Sequence, residues 1–289
     1  MRGDKGIKSR AAKVSVVSNT MLVLIKGFVG LLTGSISILA ECIHSAVDLV
    51  AAVIAYLAVR VADQPPDEAH TYGHGKYENI SGAVEAFLII VAAAYIGYEA
   101  VARILNKTGV ERLGAGMGIM ILSCIVNFLV SELLFRVAKK ADSIALEADA
   151  QHLRLDVYTS FGVFLGLLLV YLTGAVIIDR LLGLVVALWI AWIGIQLSRK
   201  AVGPLLDLQL PAAEVERIAT IIDSEPNVVG FHKLRTRKSG HQRHVDVHLV
   251  VPKCMSLTEA HNLAEEIEDK IRAEFDNVFI LTHVEPEDE

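Results

Sequence analysis

ILAECIHSAVDLVAAVIAYLAVRV, at residues 38–61, is long and apolar enough to cross a lipid bilayer as a helix. A membrane helix needs roughly 20 mostly apolar residues, because each residue advances the helix by about 1.5 Å. Several other stretches of the chain have the same character. The sequence therefore predicts an all-α membrane bundle of six helices, at about residues 14–33, 38–61, 80–105, 114–137, 145–172 and 176–199.

The composition of the whole chain supports this prediction. Of its 289 residues, 53% are hydrophobic and 21% are charged, and the mean hydropathy is +0.49. These values exclude a wholly soluble globule and a disordered chain. The cysteines Cys42, Cys124 and Cys254 form no CxxC pair, so neither a disulfide framework nor a cysteine-based zinc site is expected. The sequence shows no sign of a basic stripe on a folded domain, so nucleic acid is not an expected partner.

The distribution of positive charge predicts the orientation in the membrane. An even number of helices places both termini on one side of the membrane. The basic N-terminal segment 2–13, Lys139-Lys140 and Arg199-Lys200 all lie on that side. The opposite connections carry fewer basic residues, namely Lys107, Arg112 and Arg180. Because positive charge concentrates in cytoplasmic loops, both termini are predicted to be cytoplasmic.

Residues 210–289 are predicted to form a separate soluble domain after a membrane domain at residues 1–209. Their patterns indicate helices and strands in the order αββαβ, at about 212–224, 228–237, 244–251, 256–275 and 278–284. This order is typical of a small open-faced α+β sandwich. A domain of this size buries little core by itself, so it is expected to pair with a second copy.

Charged and polar residues interrupt two of the apolar stretches at matching intervals. His44 and Asp48 are four residues apart, as are His152 and Asp156. Residues four apart share one face of a helix, so two such helices can present two imidazoles and two carboxylates around one point. That donor set suits a divalent ion of the zinc class. The alternative is that the two His–Asp pairs are unrelated and only stabilise the bundle.

Two further groups of residues are candidate metal ligands. In the connection after the second helix, Asp67, His70 and His74 could hold one metal together with water, or could simply face solvent. The C-terminal domain contains six of the ten histidines, some of them alternating with acids along predicted strands. This pattern favours a regulatory metal site over scattered surface histidines, with His241 and His244 as the least expected ligands.

The motifs together resemble the cation diffusion facilitator family, specifically its bacterial members with six membrane helices and a cytoplasmic tail. The matching segments are His44-Ser45-Ala46-Val47-Asp48, His70-Thr71-Tyr72-Gly73-His74-Gly75-Lys76-Tyr77-Glu78, His152-Leu153-Arg154-Leu155-Asp156 and His232-Lys233-Leu234-Arg235-Thr236-Arg237-Lys238-Ser239-Gly240. The resemblance covers nearly the whole chain. It implies a homodimer in the bacterial inner membrane that exports a divalent metal from the cytoplasm in exchange for protons.

The resemblance also implies roles for individual residues. The transport site would be formed by His44, Asp48, His152 and Asp156. The loop site would be formed by Asp67, His70 and His74. The regulatory domain would bind metal through His232, His248, His261, His283 and Glu285, and Lys76 and Asp207 would form an ion pair that couples the two domains. Two positions depart from the family pattern, because family members often have Asp at the position of His44, and some have Asp at that of Glu285.

The expected substrate is Zn²⁺, with Fe²⁺, Cd²⁺ and Mn²⁺ as alternatives, and no organic cofactor is expected. Two other classes of protein are weighed. A membrane metallohydrolase would need an open metal position and here lacks an HExxH motif. A metal sensor with a membrane anchor would not need ionisable residues inside its helices. Metal-stimulated hydrolysis of a substrate would favour the metallohydrolase, and metal flux into sealed vesicles separates a transporter from a sensor.

Overall fold

The computed structural model describes residues 2–34, 36–106, 117–173 and 177–287. The chain divides into two compact units, an N-terminal unit at Met1–Val202 and a C-terminal unit at Gly203–Glu289. The predicted connections at 106–113 and 173–175 lie largely outside the described residues, as do Lys107 and Arg112.

The described part of the N-terminal unit forms six long helices, which confirms the predicted helical bundle. They are α1 (Arg2–Thr33), α2 (Ile36–Ala62), α3 (Lys76–Asn106), α4 (Met117–Ala141), α5 (Ile144–Thr173) and α6 (Ile177–Val202). The prediction was wrong about where α1 begins, because this helix starts at Arg2 rather than at residue 14. Apolar length locates the part of a helix that lies in lipid, and α1 continues beyond it through charged residues.

Among the described residues, five of the helices are long and apolar enough to cross a membrane by length and composition. These are α1, α2, α3, α4 and α6. The N-terminal half of α5 instead carries four charged side chains, those of Glu147, Asp149, Arg154 and Asp156. Charges within a membrane helix usually face a bundle interior or a cavity, so these residues of α5 are candidate functional residues.

Small side chains allow the helices to pack closely. α1 packs on α2, α3 on α6, and α4 on α5, and the buried cores between them are rich in alanine. At Gly194 on α6, an added Cβ would lie 2.7 Å from Cγ1 of Ile90 on α3. Small residues at such contacts are typical of membrane helix packing, where close approach of the backbones provides the attraction. Large apolar side chains such as Leu24 and Phe28 point outward.

The described part of the C-terminal unit has the predicted αββαβ order. A short 3₁₀ turn (Gly203–Leu206) precedes α7 (Ala212–Asp223), β1 (Gly230–Ser239), β2 (Gln242–Val251), α8 (Leu257–Glu274) and β3 (Val278–Pro286). The sheet order is β1-β2-β3, with β1 antiparallel and β3 parallel to β2. The parallel pair requires a crossover, which α8 supplies. Ser256 and Glu259 form a capping box that fixes the start of α8.

The two helices pack on one face of this sheet. Side chains from both helices and from β2 form one buried core, which contains Ile218, Val247, Leu249, Ile267 and Ile271. The other face of the sheet is not covered by α7 or α8, which is the open-faced arrangement that the sequence predicts. Residues on that face are therefore accessible for binding.

Candidate metal sites

α2 and α5 bring the two His-x-x-x-Asp motifs together in the N-terminal unit. His44 Nε2 lies 3.7 Å from Asp156 Oδ1, and His152 Nε2 lies 3.1 Å from Asp48 Oδ1. The pairing is crosswise, each histidine facing the aspartate of the other helix. This is the pattern expected for two helices that run in opposite directions, since the first residue of one motif then lies level with the last residue of the other.

The four side chains differ in exposure. The side chains of Asp48 and His152 are 5% and 11% exposed, whereas those of His44 and Asp156 are 53% and 22% exposed. Among the described residues, Oδ2 of Asp156 is buried and has no hydrogen-bond partner. His44, Asp48 and Asp156 each offer a donor atom within 4.8 Å of the others. These three residues therefore direct ligand atoms at one small region, and His152 lies beside them through its 3.1 Å contact with Asp48.

A cavity of about 90 Å³ is lined by three of the four residues, His44, Asp48 and Asp156. This is roughly the volume that three waters occupy in the liquid, so the cavity can hold an ion with part of its hydration shell. Most of its lining comes from the halves of α1, α2 and α4 nearest the α1–α2 connection, and it includes Lys26, Glu41, His44, Asp48, Asn127 and Asp156. The site is thus connected to one end of the bundle.

Two functional candidates, Lys26 and Glu85, were missed by the sequence analysis. Lys26 on α1 is buried and donates hydrogen bonds to Glu41 (3.1 Å) and to Ser45 Oγ (2.8 Å) at the cavity wall. Glu85 on α3 is fully buried, and its Oε2 lies 4.0 Å from Nδ1 of His152. A single ionisable residue in an apolar helix is itself a signal of function, and that signal could have identified both.

The connection between α2 and α3 gathers the predicted loop ligands. Asp67 Oδ1 lies 3.2 Å from His70 Nδ1, and Asp67 Oδ2 lies 3.3 Å from His74 Nε2. The backbone N–H of His70 donates to Asp67 over 2.6 Å, and this bond is the main reason that the pKa of the Asp67 carboxyl is below its ordinary value. An ionised carboxylate beside two imidazoles can bind a divalent ion with water completing the shell.

Strand register gathers the predicted ligands of the C-terminal unit. His232, His248 and His283 are direct cross-strand partners on β1, β2 and β3, so they form one row across the sheet. Glu285 contacts all three, at 3.1 Å from His232, 2.6 Å from His248 and 3.4 Å from His283. The hydrogen bond from His248 lowers the pKa of Glu285. Three imidazoles and one ionised carboxylate are thus side by side.

The remaining predicted residues lie elsewhere. His261 is on α8, where its Nε2 is 3.5 Å from Glu265, and the described residues do not bring it to the histidine row. Lys76 is the first residue of α3, and Asp207 lies in the C-terminal unit, where it accepts a hydrogen bond from Arg237 at 3.3 Å. Because Lys76 and Asp207 belong to different units, their ion pair stays a prediction.

Comparison with known protein families covers nearly the entire chain. The family model of the cation efflux transmembrane domain matches residues 12–206, and that of the dimerising cytoplasmic domain of cation efflux proteins matches residues 210–287. The chain belongs to the cation efflux family. This confirms the resemblance found from the motifs, and it makes the protein an integral membrane transporter rather than an enzyme.

Two relatives and one solved structure are similar to this chain. An uncharacterized transporter of Synechocystis sp. is 36% identical over 256 residues, which are 88% of this chain and 83% of that protein. The cation-efflux pump FieF of Salmonella schwarzengrund is 33% identical over 278 residues, which are 96% of this chain and 92% of the pump. A solved structure of a protein studied as a zinc transporter, CzrB, is 34% identical, covers 27% of this chain and 99% of its own, and has a TM-score of 0.27.

Proposed function

We propose that this cation efflux protein is a homodimeric antiporter of the bacterial inner membrane that exports Zn²⁺ from the cytoplasm in exchange for H⁺. The observation that carries the proposal is the crosswise pairing of His44 with Asp156 and of His152 with Asp48 inside the helical bundle. Two imidazoles and two carboxylates form a tetrahedral set of the kind that binds zinc. Such a set placed beside a cavity in a membrane helix bundle is a substrate site.

Exchange with protons follows from the chemistry of these ligands. A metal binds the lone pairs of neutral imidazole and carboxylate, so protons and metal compete for the same atoms. Imidazole changes its charge within the cellular pH range, since its unperturbed pKa is about 6.5. Under the predicted topology, the cavity lies towards the outer side of the bundle. Protons entering there displace the metal outward, and rocking of the helices then turns the protonated site inward.

The choice of metal is tested most directly by flux measurements on the whole protein. Zn²⁺, Fe²⁺, Cd²⁺ and Mn²⁺ are compared one at a time for uptake into sealed proteoliposomes with an imposed pH gradient. Zn²⁺ is expected to be carried fastest, because two imidazoles disfavour Mn²⁺, which prefers oxygen ligands. Absence of flux for all four metals would contradict the proposal and favour a membrane-anchored metal sensor.

The His44 imidazole is proposed to narrow this selectivity. Family members often have Asp at this position, and a carboxylate can bind through one or two oxygens and so adapts to a larger ion. His44→Asp is therefore expected to raise Cd²⁺ flux relative to Zn²⁺ flux by roughly tenfold, the effect of about 1.4 kcal/mol. Competition between the two metals in proteoliposomes measures the ratio. An unchanged ratio would place selectivity in the residues around the ligands or in helix packing.

We propose that residues 210–289 act as a regulatory metal-binding domain, with residues 1–209 as the transport domain. The row of His232, His248 and His283 with Glu285 supports this role, because it lies on the uncovered sheet face. Metal bound there would draw two tails of the homodimer together. Asp67, His70 and His74 are proposed to hold a further metal, and the ion pair of Lys76 with Asp207 is proposed to couple the regulatory domain to the helices.

Replacement of both His232 and His283 by Ala is expected to reduce this metal-dependent approach of the tails. This double variant loses two of the three imidazoles that contact Glu285, so the amount of metal bound per chain should fall. Transport should fall less than it does when an intramembrane ligand is replaced. Distances between spin labels on the two tails, measured with and without Zn²⁺, report the approach. The matched control is His241→Ala at the β1–β2 turn. Unchanged metal stoichiometry and tail spacing in the double variant would show that the row is not the regulatory site.

A further inference from the structure

Glu85 is a buried carboxylate outside the set of four proposed transport-site ligands. It lies on α3, its side chain has 0% exposure, and neither of its oxygens has a hydrogen-bond partner among the described residues. Burying a polar group without a partner is unfavourable, and in a membrane bundle it normally marks function. Its position therefore calls for a partner that appears only in part of the transport cycle.

The nearest candidate partner is the second ring nitrogen of His152. Nε2 of that ring faces Asp48 at 3.1 Å, on the side of the transport site. Nδ1 faces Glu85 Oε2 at 4.0 Å and, among the described residues, has no hydrogen-bond partner either. The imidazole thus stands between the transport site and Glu85, with one nitrogen directed towards each.

Metal binding decides which nitrogen carries the ring proton. When a metal binds Nε2, the proton of the neutral imidazole must lie on Nδ1, which then becomes a hydrogen-bond donor. A histidine that binds a metal almost always donates its other N–H to a carboxylate, a carbonyl or water, and this fixes both tautomer and ring orientation. Glu85 is the carboxylate placed to accept that hydrogen bond, after a closure of about 1 Å to ordinary hydrogen-bond length.

We propose that Glu85 is a positioning residue for the transported metal, accepting a hydrogen bond from His152 Nδ1 when Nε2 binds the divalent cation. This inference rests on the proposed transport site, because it assumes that His152 is a ligand. It explains why a carboxylate lies in the core of α3 with no hydrogen-bond partner among the described residues. Glu85 does not itself touch the metal.

The test replaces Glu85 by Leu and by Gln in the full chain. Glu85→Leu keeps a similar volume but removes the acceptor, and it should raise the KM for Zn²⁺ by about 10–100-fold, the usual effect of losing such a partner. Glu85→Gln keeps an acceptor oxygen and should restore most of the affinity. A merely structural role predicts instead a loss of thermal stability, whereas here Leu removes a buried polar group without a hydrogen-bond partner and should leave the Tm unchanged or higher.

A packing control and a binding measurement make the result unambiguous. Ile89→Ala, one turn further along α3 and equally buried, perturbs the core without a polar change and should leave the KM unaltered. Co²⁺ serves as a spectroscopic probe, and the visible absorption that is lost on Asp156→Ala belongs to the intramembrane site. Glu85→Leu should shift that absorption and weaken its titration, and Glu85→Gln should restore it.

The outcomes separate this inference from the proposed function. If the parent binds Co²⁺ in the membrane and Glu85→Leu alters that signal, but no metal is transported, the inference stands and the antiporter proposal falls. The inference is overturned if the parent has no intramembrane Co²⁺ signal, if Glu85→Leu matches the parent in both KM and absorption, or if Glu85→Gln is as impaired as Glu85→Leu.

Discussion

Alanine in place of Asp156 is expected to abolish metal transport while leaving the folded dimer intact. The Asp156 carboxylate contacts His44 at 3.7 Å, and its second oxygen is buried and without a hydrogen-bond partner among the described residues. Asp156 is therefore a proposed metal ligand whose replacement should affect the fold little. Losing a residue that only hydrogen-bonds to a metal ligand lowers affinity or activity by roughly 10–100-fold. Losing a direct ligand should have a larger effect, so flux should fall by at least about 100-fold.

The same substitution should not destabilise the protein. A carboxylate at the centre of a membrane helix costs roughly 2.5–3.5 kcal/mol on insertion, and alanine removes that cost. The Tm in detergent and the dimer fraction on gel filtration are expected to match the parent. Ser160→Ala is the matched control, because Ser160 lines the same cavity from α5 but is not a proposed ligand. Transport by Asp156→Ala close to that of Ser160→Ala would exclude Asp156 from the site.

Methionine in place of Lys8 is expected to destabilise the N-terminal unit strongly. Lys8 is buried near the start of α1, with its ammonium 2.6 Å from Asp63 and 2.9 Å from Glu78. Glu78 also accepts a hydrogen bond from Ser143 and has 0% exposure, so these groups connect α1, the end of α2, α3 and the start of α5. Removing one partner from a buried ion pair leaves the other charge uncompensated, at a cost of about 3–5 kcal/mol.

A second lysine provides the control for this prediction. Lys200 pairs with Glu147 at 2.5 Å, but both side chains are substantially exposed, at 59% and 34%. An exposed pair contributes about 0–1 kcal/mol, so Lys200→Met should leave the Tm nearly unchanged. Thermal unfolding in detergent compares the two variants. If Lys8→Met and Lys200→Met lowered the Tm equally, the buried ion pairs would not be what stabilises the bundle.

The sequence predicted the helical bundle and the two intramembrane motifs because both are local patterns. Apolar length identifies a membrane helix, and a four-residue spacing identifies one face of it. The crosswise pairing of His44 with Asp156 was not predictable in this way. It depends on the direction and level at which α2 meets α5, and these are set by packing between helices far apart in sequence.

Lys26 and Glu85 were missed for a related reason. Lys26 pairs with Glu41 and Glu85 faces His152, each on another helix, and neither has a matching residue four positions away on its own helix. In the C-terminal unit, alternation along strands predicted which face the histidines occupy. The cross-strand register then placed His232, His248 and His283 in one row, whereas His261 on α8 lies elsewhere.

The most direct test of the account is to follow zinc and protons together in proteoliposomes. Vesicles containing the parent protein hold a zinc indicator and a pH indicator, with an imposed pH gradient across the membrane. The account predicts that zinc moves in one direction while protons move in the other, that reversing the gradient reverses both, and that Asp156→Ala shows neither movement. Zinc flux without a proton countermovement, or equal movement of both in Asp156→Ala, would contradict it.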